Sequence, residues 1–267
     1  MREKKPGSNI KTSLLGLALM GADPVGYRKE IDRLARAVAK TLDSSMSGSQ
    51  GVYRGSPGNW VMSYQALFLG EYSVKYGDPA WLRPHLEHLM DRLNDSMLPL
   101  GYGWGHAYGE GDYRKFYGVW IPTTCGCLLA IQCLAEAGIE VDPVAMEKRL
   151  DALEGGVDRE NGEVGYQGVS LNRGSFDIGK IRSVTSYAGE SDGNFASMYR
   201  QAVTGLALQK AGRTEGLAAV AHMLGRRRII PGTGHGCGAD FHGSTGSIAA
   251  CSMLPSDHCL LYTSDAA

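Results

Sequence analysis

Four times along this chain a small-residue-rich apolar segment is followed by a glycine-containing turn and then by an amphipathic segment. No other feature restricts the fold so strongly. The four copies are LLGLALMGADPVGYRKEIDRLARAV, ALFLGEYSVKYGDPAWLRPHLEHLMDRL, LLAIQCLAEAGIEVDPVAMEKRLDAL and GLALQKAGRTEGLAAVAHML. Each predicts a helical hairpin. The turn glycines are Gly21, Gly77, Gly138 and Gly212. Glycine after a helix accepts the left-handed conformation that closes its last turn. Asp23-Pro24, Asp78-Pro79 and Asp142-Pro143 then offer an N-cap followed by proline at the first helical position.

The second helices carry apolar stripes at helical spacing: Ile31, Leu34, Val38 and Leu42 in one, Leu82, Leu86, Leu89 and Leu93 in another. The first helices are apolar around more of their circumference, which predicts deeper burial. Loops rich in glycine and aromatics separate the hairpins, and no convincing period-2 strand occurs. The fold class is therefore all-α. Stacked hairpins of inner and outer helices form a curved solenoid or close into a ring. No polar linker interrupts the series, so residues 1–258 are expected to form a single domain.

The formal net charge of −1 gives no electrostatic footprint for a polyanion. Nucleic acid is thus not an expected partner, and Arg226-Arg227-Arg228 reads as a solvated helix end. No apolar run approaches the roughly 20 residues that span a membrane. Six sparse, unevenly placed cysteines favour reduced thiols over a disulfide framework. The basic start and the apolar run Leu14 to Ala22 have two readings. They form the first repeat unit, in keeping with a cytoplasmic chain, or residues 1–22 are a signal peptide of a secreted one. The last nine residues, CLLYTSDAA (Cys259 to Ala267), resemble the in-frame translation of a sequencing adapter. On that reading 259–267 is a non-native tail, the natural chain continues beyond His258, and the ring is incomplete.

The hairpin pattern resembles the α/α-toroid superfamily, which includes terpenoid cyclases and protein prenyltransferase β-subunits. Within it, NWVMSYQALFLGEYSVKYGDP followed by GYGWGHAYGE is similar to a bacterial family of predicted toroid proteins with no assigned reaction. SDGNFASMYRQAVTGLAL and FHGSTG match its later segments. The resemblance implies an α/α toroid with a central cavity. It carries no cyclase chemistry, because neither an Asp-x-Asp-Asp nor an Asp-Asp-x-x-Asp segment is present.

The candidate site residues sit in or beside the loops and on one inner helix. His106, in the Trp104-Gly105-His106 segment, has the chemistry of a general acid or base; as a loop histidine bonded to backbone it has no role, with Trp104 packed in the core. Glu71 shares a helix face with Trp60, Tyr64 and Leu67. It is either a desolvated acid or the partner of Lys75 four residues on. Asp192 and Asn194 suit a cation or sugar hydroxyls, whereas Ser191 or Asp192 also reads as a helix cap. Tyr102, Trp104, Tyr108, Tyr166 and Tyr187 are aromatics that would line a cavity mouth. The loop GTGHGCGADFHGSTG holds His235, Cys237, Asp240 and His242, all zinc-ligand types. Its spacing is too tight for a zinc finger, and each resemblance to a toroid zinc site lacks one ligand. His242 remains a candidate for proton transfer. Cys125 and Cys127 lie two apart on a helix, about 200° around its axis, and cannot chelate together.

Three functions follow from these residues. The first is binding or processing of a small-molecule or carbohydrate-like ligand in the cavity. The second is a non-catalytic scaffold or protein-binding module. The third is a zinc-dependent enzyme using the 235–242 loop. No cofactor is expected under the first two.

Overall fold

In a computed structural model the described residues are 7–46, 58–98, 103–105, 121–157, 159, 162, 164 and 196–226. Among them are eight α-helices: α1 (Gly7–Ala22), α2 (Arg28–Met46), α3 (Gly58–Tyr76), α4 (Arg83–Ser96), α5 (Ile121–Glu136), α6 (Pro143–Gly155), α7 (Ala196–Lys210) and α8 (Thr214–Arg226). The only extended pairing among the described residues is an isolated antiparallel bridge, Val157 with Val164. The chain is all-helical in this sense, and each sequence repeat supplies one helix–turn–helix. None of the described helices is long and apolar enough to cross a membrane.

The turns show which local signals acted. Gly77, Gly138 and Gly212 adopt φ of 90°, 78° and 69°. At Gly138 the amide donates to the Ala135 carbonyl and Ile139 N donates to the Leu134 carbonyl. Gly212 and Arg213 repeat the pattern on Gln209 and Leu208, the paired closure that needs a left-handed residue. Gly21 behaves otherwise: it stays inside α1. Asp23 makes that turn instead, its carboxylate accepting from Val25 N at 3.1 Å and Gly26 N at 2.8 Å. Asp78 does not cap α4. Residues Pro79 to Leu82 form a turn closed by Leu82 N to the Pro79 carbonyl at 2.7 Å, which delays the helix to Arg83. Asp78 pairs with Arg83 at 3.5 Å. Pro143, by contrast, opens α6 as its sequence predicts.

The chain divides into two compact units. The first comprises the described residues within Met1–Tyr117 and Gly126–Pro143. Here α1 packs on α2 and α3, α3 on α4, and α2 on α4. Contacts advance in the same direction along α1 and α3, with Gly16 against Phe68 and Met20 against Lys75. The two helices therefore run parallel. So do α3 and α5, where Asn59 meets Cys127 and Glu71 meets Cys133. Thus α1, α3 and α5 form one row, and α2 and α4 lie beside each other as a second.

Both leucine-type stripes of the outer helices are buried. Leu82, Leu86, Leu89 and Leu93 are all 0 % exposed, and each such burial contributes about 1.5–3 kcal/mol. Helix α3 is buried through most of its length, as expected of an inner helix. Helix α1 departs from that expectation: Leu15 is 49 % exposed. It has described neighbours in α2 and α3, whereas α3 has α1, α2, α4 and α5.

The second unit comprises the described residues within Gly118–Cys125 and Val144–Ala267. Helix α7 packs on α8, burying Ala207, Leu208, Val220 and Leu224. Gln201 is buried, and with its side-chain amide oriented to satisfy both atoms it bonds the backbone of Gly162 and Val164. Its amide nitrogen donates to the Gly162 carbonyl at 3.0 Å, and its oxygen accepts from Val164 N at 2.9 Å. Arg213 reaches Glu147, Asp151 and Glu154 together. Glu154 also accepts from Gly216 N at 3.0 Å, satisfying one of the orphan amides in the first turn of α8.

Candidate functional site

The site is built where α3 and α5 come closest. Gly70 makes this approach possible. A Cβ there would lie 3.1 Å from Cys133 Cβ and 3.2 Å from its carbonyl carbon. With only hydrogens at Gly70, the next residue, Glu71, is brought against α5. The Cys133 thiol donates to Glu71 Oε1 at 3.2 Å. Glu136, one helical turn beyond Cys133, adds a second carboxylate. One ligand atom from each of Glu71, Cys133 and Glu136 lies within 4.8 Å of the others. Cys133 is 2 % exposed, Glu71 is half-buried and Glu136 is exposed. The cluster is thus closed on the thiol side and open toward solvent beside Glu136.

The local field favours positive charge. Glu136 is the last residue of α5, and Glu71 lies near the end of α3. Helix C-termini carry partial negative charge, which disfavours carboxylates and favours cations. The expected Glu71–Lys75 pair does not form. Lys75 donates instead to the Met20 carbonyl at 3.3 Å. Met20 lies in the last turn of α1, where carbonyls lack intrahelical donors, so its oxygen is open to Lys75.

Glu71 also ends the aromatic stripe expected on α3. Trp60 and Tyr64 are stacked, with centroids 6.5 Å apart and ring planes 21° apart. Leu67 follows and is half-buried. Both rings are buried in the core, so along this face only Leu67 and Glu71 reach partial exposure, and Glu71 is the one acceptor it offers. Chemically, Glu71 can accept a proton from a bound hydroxyl or from the Cys133 thiol. Glu71, Cys133 and Glu136 are also ligand types for zinc. Zn–O and Zn–S bonds of about 2.0–2.3 Å place tetrahedral ligand atoms roughly 3.5 Å apart. Side-chain rotation of the exposed Glu136 would close that gap.

Trp104 occupies the core rather than a cavity mouth. It is 0 % exposed, and its indole N–H donates to the Leu93 carbonyl at 2.7 Å. It therefore presents no ring face to a ligand. The short segment around it is pinned at both ends. Leu98 N donates to the Gly103 carbonyl at 3.0 Å, and Asn59 Nδ2 donates to the Gly105 carbonyl at 2.7 Å. His106, Tyr102, Tyr108, Tyr166, Tyr187, Ser191, Asp192 and Asn194 lie outside the described residues. So do His235, Cys237, Asp240 and His242, and the tail 259–267.

Cys125 and Cys127 do not act together. Cys125 Sγ lies 3.2 Å from Thr204 Oγ1. Cys127 Sγ is 4.0 Å from the Asn59 carbonyl. Burial pushes the Cys125 thiol up to about 12, against a smaller opposing pull from Thr204, so this is an inert core thiol. Cys133, Glu136 and Asn59 were not among the candidates from sequence. The available signal was Cys133-x-x-Glu136, one turn apart on an inner helix.

No family model, curated protein or solved structure matches the chain.

Proposed function

We propose that this chain is an α/α-toroid protein whose inner helices form the wall of a ligand cavity, with Glu71 as its polar contact. The ligand class is a small molecule or carbohydrate. The observation that carries this reading is the placement of Glu71. It ends the Trp60–Tyr64–Leu67 stripe on an inner helix, and its hydrogen-bond donor is a buried thiol rather than the lysine one turn away. Parallel inner helices backed by a second row support the toroid architecture, as does the resemblance of the repeats to that superfamily. The half-buried Glu71 carboxylate would accept hydrogen bonds from the hydroxyls of such a ligand.

The test is a thermal-shift screen of mono- and oligosaccharides and small metabolites on the full chain, repeated with Glu71→Gln. A ligand of this wall should stabilise the wild type and bind at least tenfold more weakly to the variant, which is a loss of about 1.4 kcal/mol. Equal affinities would remove Glu71 from the ligand site.

A second reading rests on the convergence of Glu71, Cys133 and Glu136 within 4.8 Å. These residues would hold a divalent metal of the zinc type, supplying Lewis-acid chemistry at the same wall. Metal binding would displace the thiol proton. Elemental analysis of the full chain tests it, with Cys133→Ser as the control. Less than about a tenth of an equivalent of zinc, or equal zinc in both proteins, removes these residues as the metal site.

A further inference from the structure

Helix α1 turns an apolar face to solvent. Lys11, Leu15, Ala18 and Ala22 are all exposed. They recur at spacings of four, three and four, which places them on one side of the helix. Leu14 beside them is half-buried. Ser13, Gly16 and Met20, on the opposite side, are buried, with Gly16 against Phe68. Helix α1 contains no acidic residue, and Lys11 is its only basic one. The turn that follows presents Val25 at 84 % and Tyr27 at 47 % exposure. Asp23 fixes the backbone of that turn through Val25 N and Gly26 N.

The second helix of the same hairpin turns a basic face outward. Lys29, Arg33, Arg36 and Lys40 are exposed and follow the same spacing along one side of α2. Of these, Arg33 pairs with Glu30, and Arg36 lies over the Trp81 ring. The whole-chain charge of −1 conceals an uneven division. Residues 1–46 carry nine Lys and Arg against five Asp and Glu, a net +4, which leaves −5 for the remainder. Three of the nine, Arg2, Lys4 and Lys5, come shortly before α1 in the sequence. Charge divided in this way points to an anionic partner for the basic part.

We propose that the first hairpin is a docking surface for an anionic lipid bilayer. One helix offers a convex ridge rather than a groove, and a convex apolar ridge beside cationic side chains settles between lipid head groups. Leu14, Leu15, Ala18 and Ala22 enter the boundary with the acyl chains. Tyr27, five residues beyond Ala22, adds an apolar ring with a polar tip, the kind of side chain that settles at head-group level. Helix α2 packs on α1, and packed helix axes lie about 8–10 Å apart. Its basic stripe therefore acts on the same lipid surface across about one Debye length. The chain lies on the bilayer and does not cross it through these helices, since none is long and apolar enough. The same charge disfavours a second copy as the occupant, because two hairpins of net +4 repel.

Co-sedimentation of the full chain with vesicles tests this. Vesicles of phosphatidylcholine mixed with phosphatidylglycerol should bind at least about tenfold more tightly than vesicles of phosphatidylcholine alone. Raising salt from about 0.1 M to about 1 M shortens the Debye length from about 10 Å to about 3 Å and should release most of the bound protein. Leu15→Glu should weaken binding at least about tenfold, with helicity by circular dichroism unchanged. The double variant Lys29→Gln, Lys40→Gln leaves α1 untouched and should weaken binding about tenfold. Val144→Glu places the same new charge on an exposed apolar residue of α6 and should bind like wild type. Equal binding to the two kinds of vesicle, unchanged binding in Leu15→Glu, or an equal loss in Val144→Glu would each overturn the proposal. So would a lipid-free dimer, seen by light scattering, that Leu15→Glu dissociates, since the face would then belong to a second copy.

Discussion

Gly16→Ala is the sharpest test of how the inner helices meet. A Cβ at Gly16 would lie 2.2 Å from both Cε2 and Cζ of Phe68, and 2.8 Å from Cδ2. Non-bonded carbons rest at about 3.5–4.0 Å, so the ring must retreat by more than about 1 Å. Phe68 is fully buried and has little room to do so. Overpacking of this kind costs about 1–3 kcal/mol. Against it stands the helix preference of alanine over glycine, worth about 1 kcal/mol. The expected net change is a destabilisation of up to about 2 kcal/mol. Phe68→Leu removes the clashing atoms, so in that background the same Gly16→Ala change should stabilise by up to about 1 kcal/mol. Urea unfolding of the four proteins, followed by circular dichroism, gives the coupling directly. An interaction energy above about 0.5 kcal/mol supports the contact. If Gly16→Ala stabilises equally in both backgrounds, α1 does not pack on α3 through this glycine.

Three further outcomes are expected. Trp104→Phe removes the indole donor from the Leu93 carbonyl, which keeps the Ser96 hydroxyl at 3.0 Å, and should destabilise by about 0.5–1.5 kcal/mol in urea unfolding; an unchanged midpoint would contradict the indole hydrogen bond. Arg213→Met leaves Glu147, Asp151 and Glu154 facing one another. It should lower stability by about 1–2 kcal/mol after allowance for solvent screening. The difference should shrink in high salt, and a salt-independent loss would point to packing instead. Tyr72 is pushed up to about 12, chiefly by burial and then by its bond to Asp32, with Arg28 opposing. The folded phenol therefore keeps its proton beyond the ordinary value near 10. Its contribution is complete below that value and is lost as pH climbs toward about 12. Tyrosinate absorbance should show a late-titrating contribution that disappears in Tyr72→Phe.

The hairpins were legible in the sequence because their signals are local. A glycine at the end of an apolar helix gives a left-handed turn at Gly77, Gly138 and Gly212, whereas at Gly21 the nearby Asp23 makes the turn instead. The outer stripes were equally plain, since their spacing alone puts Ile31, Leu34, Val38 and Leu42 on one buried face. Helix starts were less legible. An Asp-Pro pair serves equally as a cap or as part of a preceding turn, and at Asp78 the turn prevailed. The site was legible only in half. Glu71 stood out as a carboxylate on an aromatic stripe, and the local rule named Lys75 as its partner. Its actual donor, Cys133, is 62 residues away in sequence. That meeting depends on how near α3 and α5 come at Gly70, which no periodicity records. The exposure of Leu15 was hidden for the same reason, because an apolar helix reveals its composition but not how many neighbours it will have.

The way these helices end has a consequence for how the chain folds. The last carbonyls of α1 do not rely on their own hairpin alone. Met20 receives Lys75 from α3 at 3.3 Å. At the end of α5, Ala137 and Gly138 receive Arg83 from α4, at 3.4 and 2.8 Å. The α3–α4 hairpin thus completes hydrogen bonding at the ends of α1 and of α5. An isolated hairpin would leave those carbonyls to water, so its helix ends would fray. Folding in this unit should accordingly centre on the α3–α4 hairpin, which consolidates the helix ends on either side of it. A cut between hairpins would loosen the ends on both sides of the break.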